Sequence, residues 1–358
     1  MKVFLAVASF QPAYGGPARS VSRLAAALTE AGIEVGVWAP DQSAAATSFL
    51  GKHDGLRRLQ GTAAEALADF GKTDVIHDNG IWLPHNHRLA GLARAHGIPR
   101  VVSTRGMLEP WALNHKRWKK RLAWAIYQKR DIRAAAALHA TAAREAEQIK
   151  CLKLGAPVYM VPNGVDLPAS ECLRAPSSGP QTALFLGRVH PVKGLPLLVE
   201  AWAKVRPKGW RMKIVGPDEV GHRAAVESLV RRHGLEAAFE FVGELEGDAK
   251  RMAYESADLF VLPSHTENFG MAIGEALAHA LPVITTHGTP WKLLEAERCG
   301  WWVAVSVEGI AAALEDATRR SPEERVAMGA RGRAWMEREF AWDSVAAGML
   351  RMYDEVAR

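Results

Sequence analysis

"DLFVLPSHTENFGMAIGEALAHA", residues 258–280, decides how this chain folds. Leu259 to Leu262 form a short apolar run, and Pro263 and Ser264 close it. From Gly270 onward the composition turns to Met, Ala, Ile and Leu, over a length that suits a helix. A continuously apolar strand followed by an apolar helix is half of a βαβ unit. Such a strand belongs to a parallel sheet covered on both faces. Two acids interrupt the stretch, Glu267 and Glu275. In the plain reading Glu267 complements the helix dipole and Glu275 pairs with His279 one turn on. Yet Glu275 and His279 are the only polar side chains of that helix, and an unpartnered buried carboxylate costs roughly several kcal/mol. Hydroxyl groups of a sugar-bearing ligand would partner both acids.

The same rhythm extends outward in both directions. Before residue 160, strands are expected at "KVFLAVA" (2–8), "IEVGVWA" (33–39), "DVIHD" (74–78), "PRVVST" (99–104) and "AALHAT" (136–141). Helical stretches separate them, and the first, "ARSVSRLAAALTEAG", stops at Gly32, a residue suited to a helix end. "VPNGVDLPASECLRAPSSGPQ" (161–181) is rich in Pro, Gly and Ser and breaks the rhythm. Strands resume at "TALFLG", "RMKIVG", "EFVG", "DLFVLP" and "LPVITT", and helices at 322–339 and 342–357 end the chain. With 358 residues the chain exceeds one ordinary core. The expectation is an α/β protein of two Rossmann-like domains facing a central cleft. The domains are residues 1–165 and 182–358, with a linker at 166–181; the last helix is free to return to the first domain.

Composition narrows the function. Three cysteines, Cys151, Cys172 and Cys299, are too few and too scattered for a zinc or disulfide framework and suit a reducing cytosol. No apolar stretch approaches the length of a membrane span, and the N-terminal run reads as a buried strand rather than a secretion signal. The net charge is +6, but "HKRWKKRLAWAIYQKRDIR" (115–133) alone carries eight Lys/Arg against one Asp. On a helical wheel Trp118, Leu122, Ala125 and Ile126 share one face, expected to pack inward. Lys116, Arg117, Lys120, Arg121, Trp124 and Tyr127 share the other, expected to meet an anionic membrane surface. No nucleic-acid motif accompanies the basic run, so nucleic acid is not expected as a partner.

Open α/β sheets bind ligands beyond the carboxyl ends of their strands, which singles out three loops. In "YGGPARS" Gly15 and Gly16 allow close backbone approach, and Pro17 suits a first helical turn that can hold an anion. The G-x-G-x-x-G dinucleotide fingerprint is missing, which counts against NAD. In "FLGRVHPVKG" Gly187 ends a strand, and Arg188 and Lys193 follow as two fixed cations suited to a pyrophosphate. The third loop is the opening stretch, with Asn268 or Glu267 near the helix start. His77, after "DVI", is a candidate for the acceptor site or a structural residue.

Glu, seven residues, Glu, within "ENFGMAIGEALA", preceded by "GRVHPVKG", resembles the retaining glycosyltransferases of family four, which have the GT-B fold. "VPNGVD" resembles that family's link between domains, and the glycine pair after the first strand agrees. The resemblance implies that Arg188 and Lys193 hold the donor's diphosphate and that Glu267 binds the donor sugar. The amides around Phe269, Gly270 and Met271 would take phosphate, and Glu275 the ribose. Many members place a His after the strand matching "PRVVST", where this chain has Arg105. Arginine is too basic to accept a proton, so Arg105 would stabilise the leaving phosphate or position the acceptor. "RGMLEPWAL" resembles a subgroup associated with bacterial surface polysaccharides.

The implied activity is metal-independent transfer of a hexose, mannose among the candidates, from a nucleotide diphosphate sugar to a saccharide acceptor, lipid-linked in polysaccharide or lipopolysaccharide synthesis. No cofactor is needed, and no Asp-x-Asp metal pair occurs. The expected place is the cytoplasm, at the inner face of the cell membrane. A nucleotide-sugar epimerase of the same fold and a catalytically silent sugar-nucleotide-binding protein at a membrane surface are the alternatives.

Overall fold

In the first sheet β1 (Lys2–Val7) lies between β2 (Glu34–Trp38) and β4 (Val75–Asn79). Beyond β2 comes β3 (Leu56–Arg58); beyond β4 come β5 (Arg100–Ser103), β6 (Ala137–Ala140) and β7 (Val158–Met160). The second sheet repeats the plan. β8 (Gln181–Leu186) lies between β9 (Trp210–Val215) and β11 (Leu259–Leu262). β10 (Phe239–Gly243) flanks β9, while β12 (Val283–Thr286) and β13 (Gly300–Val303) follow β11. All these pairings are parallel. This computed structural model describes residues 1–11, 14–51, 53–109, 113, 117–169 and 180–358. Lys116 and positions 170–179, which hold Cys172 and most of the expected linker, lie outside the described residues.

The chain divides into two units, Met1–Gly164 with Trp342–Arg358, and Val165–Ala341. Residues 166–169, read as linker from their composition, therefore belong to the second unit. The C-terminal helix Trp342–Ala357 belongs to the first. It buries Trp342, Val345, Ala346, Met349, Met352 and Tyr353, the i, i+3, i+4, i+7 stripe of a helix covering a core. At its far end the Tyr353 hydroxyl meets His77 Nδ1 at 2.6 Å.

Three strands escape the sequence reading: β3, β7 and β13. Each is an edge strand, three or four residues long. Edge strands are kept short: the apolar runs of β7 (VYM) and β13 (GWWV) are too brief to mark a strand by themselves, and β3 (LRR) carries two charges.

The basic segment corrects an expectation. Helix Arg117–Ala123 runs through a π-turn at Trp124–Gln128 into helix Lys129–Arg133. Trp118, Leu122 and Ile126 do not pack inward; they are 68%, 55% and 64% exposed. The aromatics expected outside turn in. Trp124 lies 6.0 Å from the Trp82 ring, and the Tyr127 hydroxyl donates to the Trp82 carbonyl at 3.0 Å. Gln128 Oε1 accepts from the Trp82 N–H at 2.9 Å. Trp124 gains a ring contact at Trp82 and Tyr127 a hydrogen bond, neither of which an aliphatic side chain can make.

Candidate functional site

In each sheet the strand order reverses beside the first strand, between β1 and β4 and between β8 and β11. Such switch points leave a crevice outside the carboxyl ends of the strands. The loops singled out from the sequence leave the sheets at these ends.

In the second unit, Gly187 follows β8 directly and Lys193 ends a short 3₁₀ turn, Pro191–Lys193. His190 Nδ1 accepts from the Val192 N–H at 3.1 Å, and the His265 N–H donates to the Val192 carbonyl at 2.8 Å. The loops after β8 and β11 are thus tied by backbone. Gly194 fits this seam because its φ is +69° and a Cβ would come 2.1 Å from the Pro263 carbonyl oxygen. Across the seam Lys193 Nζ and Glu267 Oε1 meet at 2.5 Å, and the Ser264 hydroxyl donates to the same oxygen at 2.7 Å. Residues 74 positions apart therefore form one contact. Arg188, more exposed, pairs with Glu219 at 2.5 Å.

Helix Met271–Ala278 starts at this contact, with Asn268 and Phe269 in the turn before it. Its N-cap is Gly270, no side chain caps it, and no acid occupies its first turn. The Ile273 N–H donates to the Gly270 carbonyl at 2.9 Å; the N–H groups before it and the positive end of the dipole suit an anion. Gly270 has φ +81°, and a Cβ there would meet Ile273 at 3.2 Å and Trp291 at 3.4 Å. Trp291 Nε1 donates to the Phe269 carbonyl at 2.6 Å, which fixes the turn. Glu275 does not pair with the His279 side chain as the plain reading expects. Its carboxylate takes Lys250 Nζ at 2.7 Å and the Tyr254 hydroxyl at 2.7 Å. His279 Nδ1 instead bonds the Glu275 carbonyl at 2.7 Å. Lys250 and Tyr254 are one turn apart on helix Gly247–Glu255; that i, i+4 spacing was the signal that could have found them.

In the first unit, helix Gly16–Glu30 begins after β1 with Gly15 at its N-cap, φ +77°, and no side-chain cap. Arg105 follows β5, itself in the left-handed region at φ +51°. Its guanidinium donates to Asn79 Oδ1 at 2.6 and 3.2 Å and to Asn163 Oδ1 at 2.8 Å. A longer bond, 3.5 Å, reaches the Ser20 hydroxyl. Burial pulls its pKa down to about 10, opposed by the Glu145 carboxylate. The value lies below the arginine range assumed from sequence, and the group still stays charged at neutral pH. Glu145, buried, pins the loop: Thr104 Oγ1 and the Gly106 N–H donate to it, each at 2.6 Å. The Thr141 N–H donates to its other oxygen at 2.8 Å. His77 lies behind these groups: Asn79 Nδ2 donates to its carbonyl at 3.3 Å, and after burial and His139 the Arg105 charge also lowers its pKa. It is fully buried in β4, with Nε2 on the Ser103 hydroxyl at 2.6 Å, and Ser103 in turn on His139 Nδ1 at 2.5 Å. Burial holds both imidazoles neutral, His77 well below its usual range and His139 at about 4.

Residues 180–320 match the family description "Glycosyl transferases group 1", and residues 14–168 match "Glycosyltransferase Family 4". The chain is 29% identical over 325 residues to a D-inositol 3-phosphate glycosyltransferase of Actinosynnema mirum, spanning 82% of this chain and 75% of that one. Further curated relatives are matched over about half to three fifths of their own length. Among solved structures, sucrose-phosphate synthase of Thermosynechococcus elongatus superposes with a TM-score of 0.80 at 20% identity, covering 99% of each chain. Anabaena HepE, in complex with UDP and glucose, gives 0.76 at 16% identity, covering 99% of this chain and 100% of that one. These neighbours show the two-domain GT-B fold. With both units matched in sequence and the whole chain matched in fold, this protein belongs to glycosyltransferase family four.

Proposed function

We propose that this glycosyltransferase moves a hexose, mannose among the candidates, from a nucleoside diphosphate sugar to a saccharide acceptor, with retention and without a metal ion. One observation carries the reading. Lys193 and Glu267 meet at 2.5 Å beside the uncapped start of helix Met271–Ala278. A cation, a carboxylate and a helix start with no side-chain cap then converge as a sugar diphosphate, with its charge and its hydroxyls, requires. The UDP and glucose bound by HepE are ligands of the same chemistry.

In this mechanism the bond from the anomeric carbon to the diphosphate breaks and its electron pair leaves with the phosphate. Lys193, Arg188 and the helix amides at Phe269, Gly270 and Met271 balance that charge. Glu267 holds hydroxyls of the sugar, and Glu275 those of the ribose. The acceptor hydroxyl forms its bond from the same face, and its proton passes to the departing phosphate oxygen. Within the first unit, Gly15, Gly16 and Arg105 are the groups proposed to take a substrate anion or hydroxyl. The acceptor is lipid-linked, in bacterial polysaccharide or lipopolysaccharide assembly at the inner face of the cell membrane.

Thermal-shift screening of UDP- and GDP-sugars identifies the donor, because a ligand that binds the folded state raises its melting temperature. The identified donor is then mixed with saccharide acceptors, and nucleotide release and product anomer are read. Release that depends on acceptor, with donor configuration kept, is expected. Inversion, or conversion of the donor without acceptor as an epimerase would perform it, overturns the reading.

A further inference from the structure

The segment Arg117–Arg133 holds an apolar surface that nothing in the catalytic account uses. Trp118, Leu122 and Ile126 stand four residues apart, so they align along one side of the helix. They are 68%, 55% and 64% exposed. Isolated exposed apolar side chains are ordinary, whereas three large ones in a row on one helix mark an interaction surface. The opposite side is anchored. Trp124, Tyr127 and Gln128 fasten it to Trp82, and Asp131 and Ile132 are buried. The stripe is therefore held outward by contacts of its own helix rather than left loose. The Lys129 N–H donates to the Trp124 carbonyl, a five-residue closure of the kind that recurs at functional positions.

Charge selects the occupant. Arg117, Lys119, Arg121, Lys129, Arg130 and Arg133 are all exposed around the stripe. The one acid of the segment, Asp131, faces inward, where Arg94 donates to it at 3.1 Å and His87 also bonds it. The outward charge of the segment is thus wholly positive. A second copy of this chain would bring the same cations against themselves, which disfavours a self-complementary pairing. An anionic lipid surface answers both parts. Trp, Leu and Ile enter the headgroup and acyl boundary while Lys and Arg meet lipid phosphate.

We propose that this protein docks on anionic bilayers through the Trp118–Leu122–Ile126 stripe, with the surrounding cations supplying attraction. The face is the reverse of the one the helical wheel suggests. The inference deepens the functional reading above, since a lipid-linked acceptor lies at that surface. Its test needs no sugar transfer, so the two stand or fall separately.

The experiment is co-sedimentation of the full chain with vesicles of phosphatidylglycerol and phosphatidylcholine, and with vesicles of phosphatidylcholine alone. At about 0.1 M salt, where the screening length is about 10 Å, the parent should partition onto the anionic vesicles. It should do so at least about tenfold more strongly than onto the neutral ones. Trp118→Ser with Leu122→Ser and Ile126→Ser should lower that partition at least about tenfold, as loss of buried apolar area requires. The exposed positions predict an unchanged melting temperature. Trp124→Ser serves as the control on the opposite face of the wheel. If it abolishes binding while the triple variant still binds, the proposed face is wrong. Absence of parental binding to anionic vesicles also overturns it. So does a parent dimer in sedimentation velocity that the triple variant dissolves, because the stripe is then a protein interface.

Discussion

The two switch points hold their charges in opposite ways. After β8 and β11 each charged site residue already has a partner of opposite sign: Lys193 with Glu267, Arg188 with Glu219, Lys250 with Glu275. After β5, Arg105 is surrounded by neutral oxygens, those of Asn79, Asn163 and Ser20. An anion arriving at the second unit has to compete with carboxylates or share their cations. One arriving at Arg105 displaces no carboxylate from a hydrogen bond. The first arrangement ties its charges in direct ion pairs; the second holds a cation with no carboxylate in direct contact, offset at longer range by Glu145, which also clamps Thr104 and the Gly106 N–H on either side of it.

The largest effects should come from the paired cluster. Lys193→Met and Glu267→Gln are each expected to slow sugar transfer by at least about 100-fold, the scale of losing one preorganised charged group. Because the two side chains touch, the double variant should lose little more than either single one. Steady-state kinetics of the four proteins checks this. Losses that simply multiply would mean that the 2.5 Å contact is not a working unit of the site.

Arg105 should be less tolerant of substitution than its exposed counterpart Arg188. Arg105→Lys keeps the charge but cannot span both Asn79 and Asn163, so a loss of about 10- to 100-fold in kcat/KM is expected. Arg105→His should fare worse, since an imidazole is mostly neutral at pH 7. Glu145→Gln should lower activity in the same direction, about tenfold, by loosening the backbone on both sides of Arg105. Full recovery in the double variant Arg105→Lys, Glu145→Gln would remove the clamp from the account.

How much of this was legible depended on the element. β1, β8 and β11 are buried on both faces, so their apolar runs announce a parallel sheet without ambiguity. The loop residues after them follow from sheet topology alone. What sequence could not supply was pairing across large separations: Lys193 to Glu267, Tyr353 to His77, Arg105 to Asn163. The wheel over 115–133 grouped Trp118, Leu122 and Ile126 correctly but chose the wrong side as inner. Periodicity groups residues by face, and only tertiary contacts such as Trp82 decide which face is covered.

Smaller effects should follow from the supports of Glu275. Tyr254→Phe and Lys250→Met each remove one donor from its carboxylate. Each is expected to weaken binding of the free nucleotide about tenfold, or about 1.4 kcal/mol, at the low end of the roughly 1.5–3 kcal/mol of a hydrogen bond to a charged group because the effect on the ligand is indirect. Calorimetry with UDP and GDP checks it. Unchanged affinity in both would mean that Glu275 reaches its ligand without either neighbour.

The smallest effect separates the units by acid. His77 and His139 are buried neutral in the first unit, with His139 at about 4 against an ordinary 6.5. The unfolded chain takes up protons on these groups first, so their stabilising contribution is complete above about pH 6.5 and is lost as pH falls toward 4. Each group costs about 1.4 kcal/mol per pH unit in that window. Asp78, on the same strand as His77, opposes them. Burial raises its carboxyl to about 6, so the folded state binds its proton first and gains stability as pH falls below that value. These three groups together are expected to give a loss of about 1–2 kcal/mol between pH 7.5 and 5.5, and His85, which burial also lowers to about 4, adds to it in the same direction. His139→Gln should flatten the dependence and Asp78→Asn should steepen it. Hydrogen exchange at pH 5.5 should show β4, β5 and β6 losing protection before β8 and β11, because the second unit has no such histidine pair among its described residues. Equal loss in both sheets would show that the His77–Ser103–His139 chain does not set the acid limit.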